Sequence, residues 1–347
     1  MMKTFNLNLI SKYRNQLMGL AAIMIILCHI PQYGVKIPII FSKILIYGNI
    51  GVDIFLFLSG LGCSYSLSKN PLLRKWYFKR FIRIFIPYAL VQIPFWLYSY
   101  FTDSFDYKHA LYIFSTVAFW TEHTGAWYVA LLLPLYIITP ILYYCLRNEN
   151  NKYITIIFIA ILIFICNFKI DNANGVYLEI LKNLQWASVR VTSFIIGMSI
   201  TPYVKKNINI NPFLIILFSI CIYFFTHHFI DENLFMWWIL VLPIVIIYIY
   251  ILELLNKQHR IYSFISWMGS ISLESYLTNI YLCKYIKEIV IKYNNETIFT
   301  GHYLDYIAII LLGLFLAYII NITSHKITSN IKYSFGSSLT IRCKVAY

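Results

Sequence analysis

Between its polar ends the chain is a succession of apolar stretches, most of them near twenty residues long and joined by short polar connections. A helix needs roughly 20 mostly apolar residues to cross the hydrocarbon core of a bilayer. In lipid the backbone must also satisfy its own hydrogen bonds, so a run of such stretches dictates a helix bundle. The candidate spans are 15–31, 44–66, 84–101, 125–146, 153–168, 186–204, 212–229, 235–255, 266–290 and 305–323. A partly buried or re-entrant helix is expected at 108–120. Pro87, Pro94, Pro134, Pro140, Gly197 and Pro243 fall inside spans, where neighbouring helices can satisfy the freed backbone groups. The expected fold is all-α: a polytopic membrane bundle of about ten transmembrane helices, one domain over residues 1–347 with a tail at 324–347. Composition agrees, since 12% charged residues is about half the load of a soluble domain.

The basic residues fix the expected orientation. With the N-terminus inside, nineteen Lys and Arg fall in inner segments and eight in outer ones, and Arg190 lies within a helix. Ten acidic residues, among them Asp103, Glu122 and Glu179, fall outside. This is the positive-inside pattern, and it places both termini in the cytoplasm. The net charge of +14 is therefore read as topology and attraction to anionic membrane lipids, with no nucleic-acid partner. The expected location is the cytoplasmic membrane, multi-pass, with a retained first helix and no cleaved signal. No CxxC pair is present, which argues against a disulfide framework and a zinc site. His227 and His228 are adjacent and diverge by about 100° on a helix, so no metal is expected.

Ionisable and polar groups inside spans are expensive, about 2.5–3.5 kcal/mol at mid-helix for charged types, and so mark function. The shortlist is Arg14, His29, Asp53, Arg190, Glu274 and Asn279. His29 lies fifteen residues beyond Arg14, about 22 Å of helix rise. A histidine at that depth can take a proton from a hydroxyl, or it can simply meet headgroups beside Pro31 and Gln32. In RKWYFKRFIRIFIPY, residues 74–88, Lys75, Lys79, Arg80 and Arg83 share one broad helical face. That face reads as a positive-inside anchor on anionic lipid, or as a cradle for a phosphate-bearing cofactor. Asp53 sits in GNIGVDIFLFLSGLG, residues 48–62, whose glycines permit close helix packing. An unpaired aspartate is costly there, so it should face a polar cavity or a cation. Trp127 and Tyr128 open the fourth span in the manner of an aromatic belt, and Glu122 and His123 precede them where they can line an entrance. Glu274 and Asn279 lie in ISLESYLTN, residues 271–279. No nucleophile elbow, Walker loop, HExxH or GxGxxG stands in a believable context.

Five blocks in order resemble the acyltransferase-3 family of bacterial membrane O-acyltransferases. They are MGLAAIMIILCH, GVDIFLFLSG, KRFIRIFIPY, AWYVALLLPLYIITPIL and SLESYL. The resemblance implies about ten spans and transfer of an acyl group, commonly acetyl, from cytoplasmic acyl-coenzyme A to a hydroxyl of a saccharide or glycolipid acceptor of the cell envelope. It makes His29 the catalytic histidine, as general base or transient acyl carrier; Asp53 and Glu274 are expected to orient groups in the polar cavity. It makes Lys79, Arg80 and Arg83, with Arg14, the contacts to coenzyme A phosphates, and leaves Glu122, Trp127, Tyr128 and Asn279 for the acceptor. Two positions depart from the family pattern: Met18 stands where an arginine is common, and Asn279 where a histidine is. A transporter of saccharide or lipid-linked intermediates is the alternative; it explains the spans but not the Arg80–Arg83 face or the placement of His29.

Overall fold

The structure is a computed structural model that describes residues 4–31, 37–101, 106–148, 152–167, 175–229, 237–255, 258–282 and 303–344. It is almost wholly helical. The first part comprises α1 (Asn8–Lys12), α2 (Arg14–His29), α3 (Ile39–Ile46), α4 (Ile50–Leu67) and α5 (Leu73–Phe101). Next come α6 (Tyr107–Phe114), α7 (Val117–Glu122), α8 (Trp127–Leu146), α9 (Lys152–Asn167) and α10 (Val176–Ser199). The remainder is α11 (Thr201–Lys205), α12 (Pro212–Phe229), α13 (Trp238–Leu255), α14 (His259–Ser270), α15 (272–282) and α16 (Tyr303–Lys344). Phe5–Asn6 pairs antiparallel with Asn209–Ile210, which ties the segment before α1 to the segment after α11 on one side of the bundle.

Among the described residues, five helical stretches are long and apolar enough to cross a membrane: Ile39–Leu67, Leu73–Phe101, Trp127–Leu146, Trp238–Leu255 and Tyr306–Ile331. Three shorter apolar helices accompany them, at Arg14–His29, Tyr153–Ile165 and Pro212–Thr226. α10 has the length, at 24 residues, but carries Glu179, Lys182 and Arg190. The outward faces of these helices are apolar. Ile137 and Ile141 on α8, Phe164 on α9, Phe218 on α12 and Phe315 on α16 are all exposed. A water-facing surface would not carry such a band, whereas a lipid-facing one requires it. The chain is thus a multi-pass membrane protein.

Several boundaries differ from the sequence expectation. The basic segment and the third span form one continuous helix, α5, with Pro87 and Pro94 inside it. The re-entrant element is two short helices, α6 and α7, separated at Thr116, which adopts a left-handed conformation. The expected span 266–290 breaks at Ile271 into α14 and α15, and its part beyond 282 lies outside the described residues. α14 has a physical reason to be separate. Its Gly269 and Ile265 lie against the backbone of Asn15 and Gly19 on α2, and Asn15 and Gln16 hydrogen-bond to Ser266, so it is held against α2.

The core centres on α4, which is buried from Ile50 to Leu61 without interruption. Glycine makes this possible. A Cβ on Gly60 would run into the carbonyl oxygen of Phe194 on α10, and one on Gly197 into the carbonyl oxygen of Phe57. The two backbones therefore meet directly, as small residues allow between membrane helices. α10 then brings Arg190 and Ser193 against Asp53 of α4, with Ser188 and Thr192 also buried.

Candidate functional site

Two groups of polar residues are built on this frame, one near the Arg14 end of α2 and one at its His29 end. At the Arg14 end, α4 serves as the anchoring wall. Arg14 donates through Nε and Nη2 to the carbonyl of Leu58, at 3.4 and 3.3 Å. Arg80, on α5, donates through Nη2 to the carbonyl of Gly62 at 3.2 Å and to Ser66 Oγ at 2.8 Å, and lies over the Trp76 ring. Trp76 Nε1 donates to the same Ser66 oxygen at 2.7 Å. Gly62 does more than permit helix packing: a Cβ there would stand 3.2 Å from Arg14 Nη2, so its absence makes room for the guanidinium. A guanidinium carries five N–H donors, and these contacts use only part of each set.

Arg80 and Arg83 line a cleft of about 370 Å³ between α5, the start of α15 and α16. Lys79, Glu274, Asn321 and His325 also line it. A narrower cavity of about 60 Å³ shares Arg80, Arg83, Ser272 and Leu273 with the cleft and continues inward to Arg14, Ser59, Tyr128 and Tyr276. Arg14, Arg80 and Arg83 thus converge from two helices on one passage. That convergence favours anions, because three guanidinium groups held together repel one another unless a negative group lies between them. The inner end of the passage is hydroxyl-rich. Tyr128 OH lies 3.4 Å from Ser59 Oγ, and the backbone N–H of Tyr128 donates to Tyr276 OH at 3.3 Å. Tyr128 is therefore not in an interfacial belt: it is buried against Phe55 and Tyr276 at the closed end of the cavity. The chain reaches this depth because Gly125, at φ +90°, turns α7 sharply into α8, a backbone that a side chain would strain.

At the other end, His29 closes α2 half-buried, with Nδ1 3.2 Å from Asn279 Oδ1 on α15. The ring thus faces protein. An amide oxygen only accepts, so in this orientation Nδ1 carries the hydrogen and Nε2 the lone pair of a base. Asn279 lies three residues beyond Tyr276, about 4.5 Å of helix rise from the end of the arginine-lined passage. α15 therefore joins the two groups.

The other shortlisted residues distribute between structure and site. Asp53 is fully buried and ion-paired with Arg190, and it accepts from Ser193 Oγ at 2.9 Å. Of the two environments expected for it, cavity or cation, it meets the cation. Arg190 also donates to the carbonyl of Asn49 at 3.3 Å and lies over the rings of Trp127 and Trp186, at 5.9 and 5.3 Å. Glu274 faces the arginine cleft, where its Oε1 accepts from Asn321 Nδ2 at 3.1 Å. Glu122 is exposed and accepts from Tyr112 OH at 3.0 Å. His123 hydrogen-bonds Asn183 and packs edge-on to Trp186, so it braces α7 against α10. The sequence reading did not single out Tyr276 and took Gly62 only as a packing residue; a single sequence carries no signal that α15 and α4 share one cavity.

The comparisons with known proteins follow the same residues. A family model described as an acyltransferase domain, acyltransferase-3, matches residues 14–324, nearly the whole chain. No curated protein and no solved structure matches the chain.

Proposed function

The chain belongs to the acyltransferase-3 family, and from that premise we propose that it is a membrane O-acyltransferase. It takes an acyl group, acetyl in the simplest case, from acyl-coenzyme A and moves it to a hydroxyl of a cell-envelope saccharide or glycolipid. The observation that carries this reading is the convergence of Arg14, Arg80 and Arg83 on a passage that ends one turn of α15 from the partner of His29.

Coenzyme A is a nucleotide with several phosphates, and Lys79, Arg80 and Arg83 at the cleft mouth match that chemistry, since guanidinium groups hold phosphate oxygens in charge-assisted pairs. The cleft opens at the end of the bundle that the Lys and Arg distribution assigns to the cytoplasm, where acyl-coenzyme A is made. The acyl arm then extends along the narrow passage toward Ser59, Tyr128 and Tyr276, whose hydroxyl-bearing side chains line its inner end. His29 Nε2 takes the proton of the acceptor hydroxyl. The acceptor oxygen bonds to the carbonyl carbon, the C–S bond breaks, and the proton passes to the departing thiolate. Asn279 fixes the tautomer that leaves Nε2 basic.

Binding of an acyl-coenzyme A to the purified protein tests the donor assignment. Charge-assisted hydrogen bonds contribute about 1.5–3 kcal/mol each. Arg80→Ala with Arg83→Ala should therefore weaken binding by about two orders of magnitude or more. Unchanged affinity in that double variant removes the cleft from the donor's path.

A further inference from the structure

The passage that leads inward from the arginine cleft is small, and much of its wall is apolar. Its volume is about 60 Å³, against about 370 Å³ for the cleft. Met18 on α2, Phe55 on α4 and Leu132 on α8 line it, each from a different helix. It is not a void left by imperfect packing, because it shares Arg80, Arg83, Ser272 and Leu273 with the cleft.

The wall is also stiff. Phe55 and Leu132 are buried. The Phe55 ring centroid lies 6.0 Å from that of Tyr128, which in turn lies 5.5 Å from that of Tyr276. The backbone N–H of Tyr128 donates to Tyr276 OH, so these rings hold one another in place. Leu132 stands one turn of α8 from Tyr128 and extends the same face. Met18 is half-buried and is the one flexible side chain of the three. A close-packed wall of this kind yields little to an added methylene.

The volume sets a capacity. Each water-sized group needs roughly 10–15 Å³ of such space, so the passage holds about four to six of them. An acetyl group has three heavy atoms and a propionyl group four, which leaves room for the thioester sulfur. A hexanoyl or succinyl group has seven before the sulfur is added. We propose that Met18, Phe55 and Leu132 limit the transferred acyl group to two or three carbons. The proposal rests on the donor reading and adds to it the residues that measure the chain. The terminal methyl of a short acyl group also suits the apolar surface that these side chains offer.

The test measures competition against radiolabelled coenzyme A on the full-length protein in a neutral detergent. The competitors are unlabelled coenzyme A and its acetyl, propionyl, hexanoyl and succinyl thioesters. The wild type should bind the acetyl and propionyl thioesters alike and the other two at least tenfold more weakly, since one methylene too many in a fitted pocket is worth tenfold or more. Succinyl matches hexanoyl in size but not in polarity, so rejection of both assigns the effect to size. Met18→Ala with Leu132→Ala, and separately Phe55→Leu, should shrink the gap to threefold or less. Met18→Phe should extend the rejection to propionyl. Unlabelled coenzyme A carries no acyl group and should compete equally in the wild type and these variants, which reports an intact fold. Equal binding of the acetyl thioester and either larger one by the wild type overturns the proposal, as does a gap that persists in both widened variants while coenzyme A still binds. In either case coenzyme A binding that is lost in Arg80→Ala with Arg83→Ala leaves the donor reading standing. A wild type that does not bind coenzyme A removes both.

Discussion

Removing either partner of the Asp53–Arg190 pair should unfold the centre of the bundle, whereas removing both should not. Asp53 has no exposed surface and Arg190 is 5% exposed. In Asp53→Val the guanidinium keeps, among the described residues, the Asn49 carbonyl and the faces of Trp127 and Trp186. In Arg190→Met the carboxylate keeps the Ser193 hydroxyl and its own backbone N–H. Stranding one member of a buried ion pair costs about 3–5 kcal/mol, more than a hundredfold in the folded-to-unfolded ratio. Replacing both members with apolar residues is often neutral or even stabilising. The double variant also forfeits the two cation–π contacts, at roughly 0.5–1 kcal/mol each in an exposed setting and more when desolvated. It should therefore lie within about 2 kcal/mol of the wild type. The assay is an equilibrium unfolding titration in mixed detergent micelles, followed by tryptophan fluorescence, on the wild type, both single variants and the double variant. If the double variant loses as much as the two single variants added together, the pair is not coupled and this account of the bundle centre is wrong.

Other perturbations probe separate parts of the account. Gly60→Leu forces a side chain into the Phe194 carbonyl, which as backbone cannot yield, and should cost about 1–3 kcal/mol or more; Gly313→Ala, whose new Cβ meets only ordinary contacts, should melt like the wild type. Asn279→Leu leaves His29 without the amide oxygen that fixes its tautomer, so transfer should fall at least tenfold while acyl-coenzyme A binding stays unchanged.

What the sequence revealed, and what it hid, follows from the range over which each signal acts. Apolar length and the glycines of α4 are local, and both translate directly into helices and close packing. Asp53 and Arg190 were each marked by the expense of a charge inside a span, but their pairing joins residues 137 positions apart, which no periodicity reports. Glu274 and Asn279, five positions apart in one motif, point to different ends of the site, one to the arginine cleft and the other to His29. Arg14 was placed near the cleft by resemblance, yet its geometry depends on Gly62, read in the sequence only as a packing residue. Tyr128 looked like a belt residue because helix-opening aromatics usually are; the turn at Gly125 carries it into the core instead. The break at Ile271 was hidden because the residues on both sides are apolar enough to continue a span.

The central claim is that one imidazole, at the far end of α2 from the arginines, performs the transfer. Mass spectrometry of envelope saccharides from cells carrying His29→Ala, beside cells carrying the wild type at equal membrane abundance, addresses it most directly. The acyl mass should disappear from the saccharide in the variant. Saccharides acylated to the wild-type level would contradict the account.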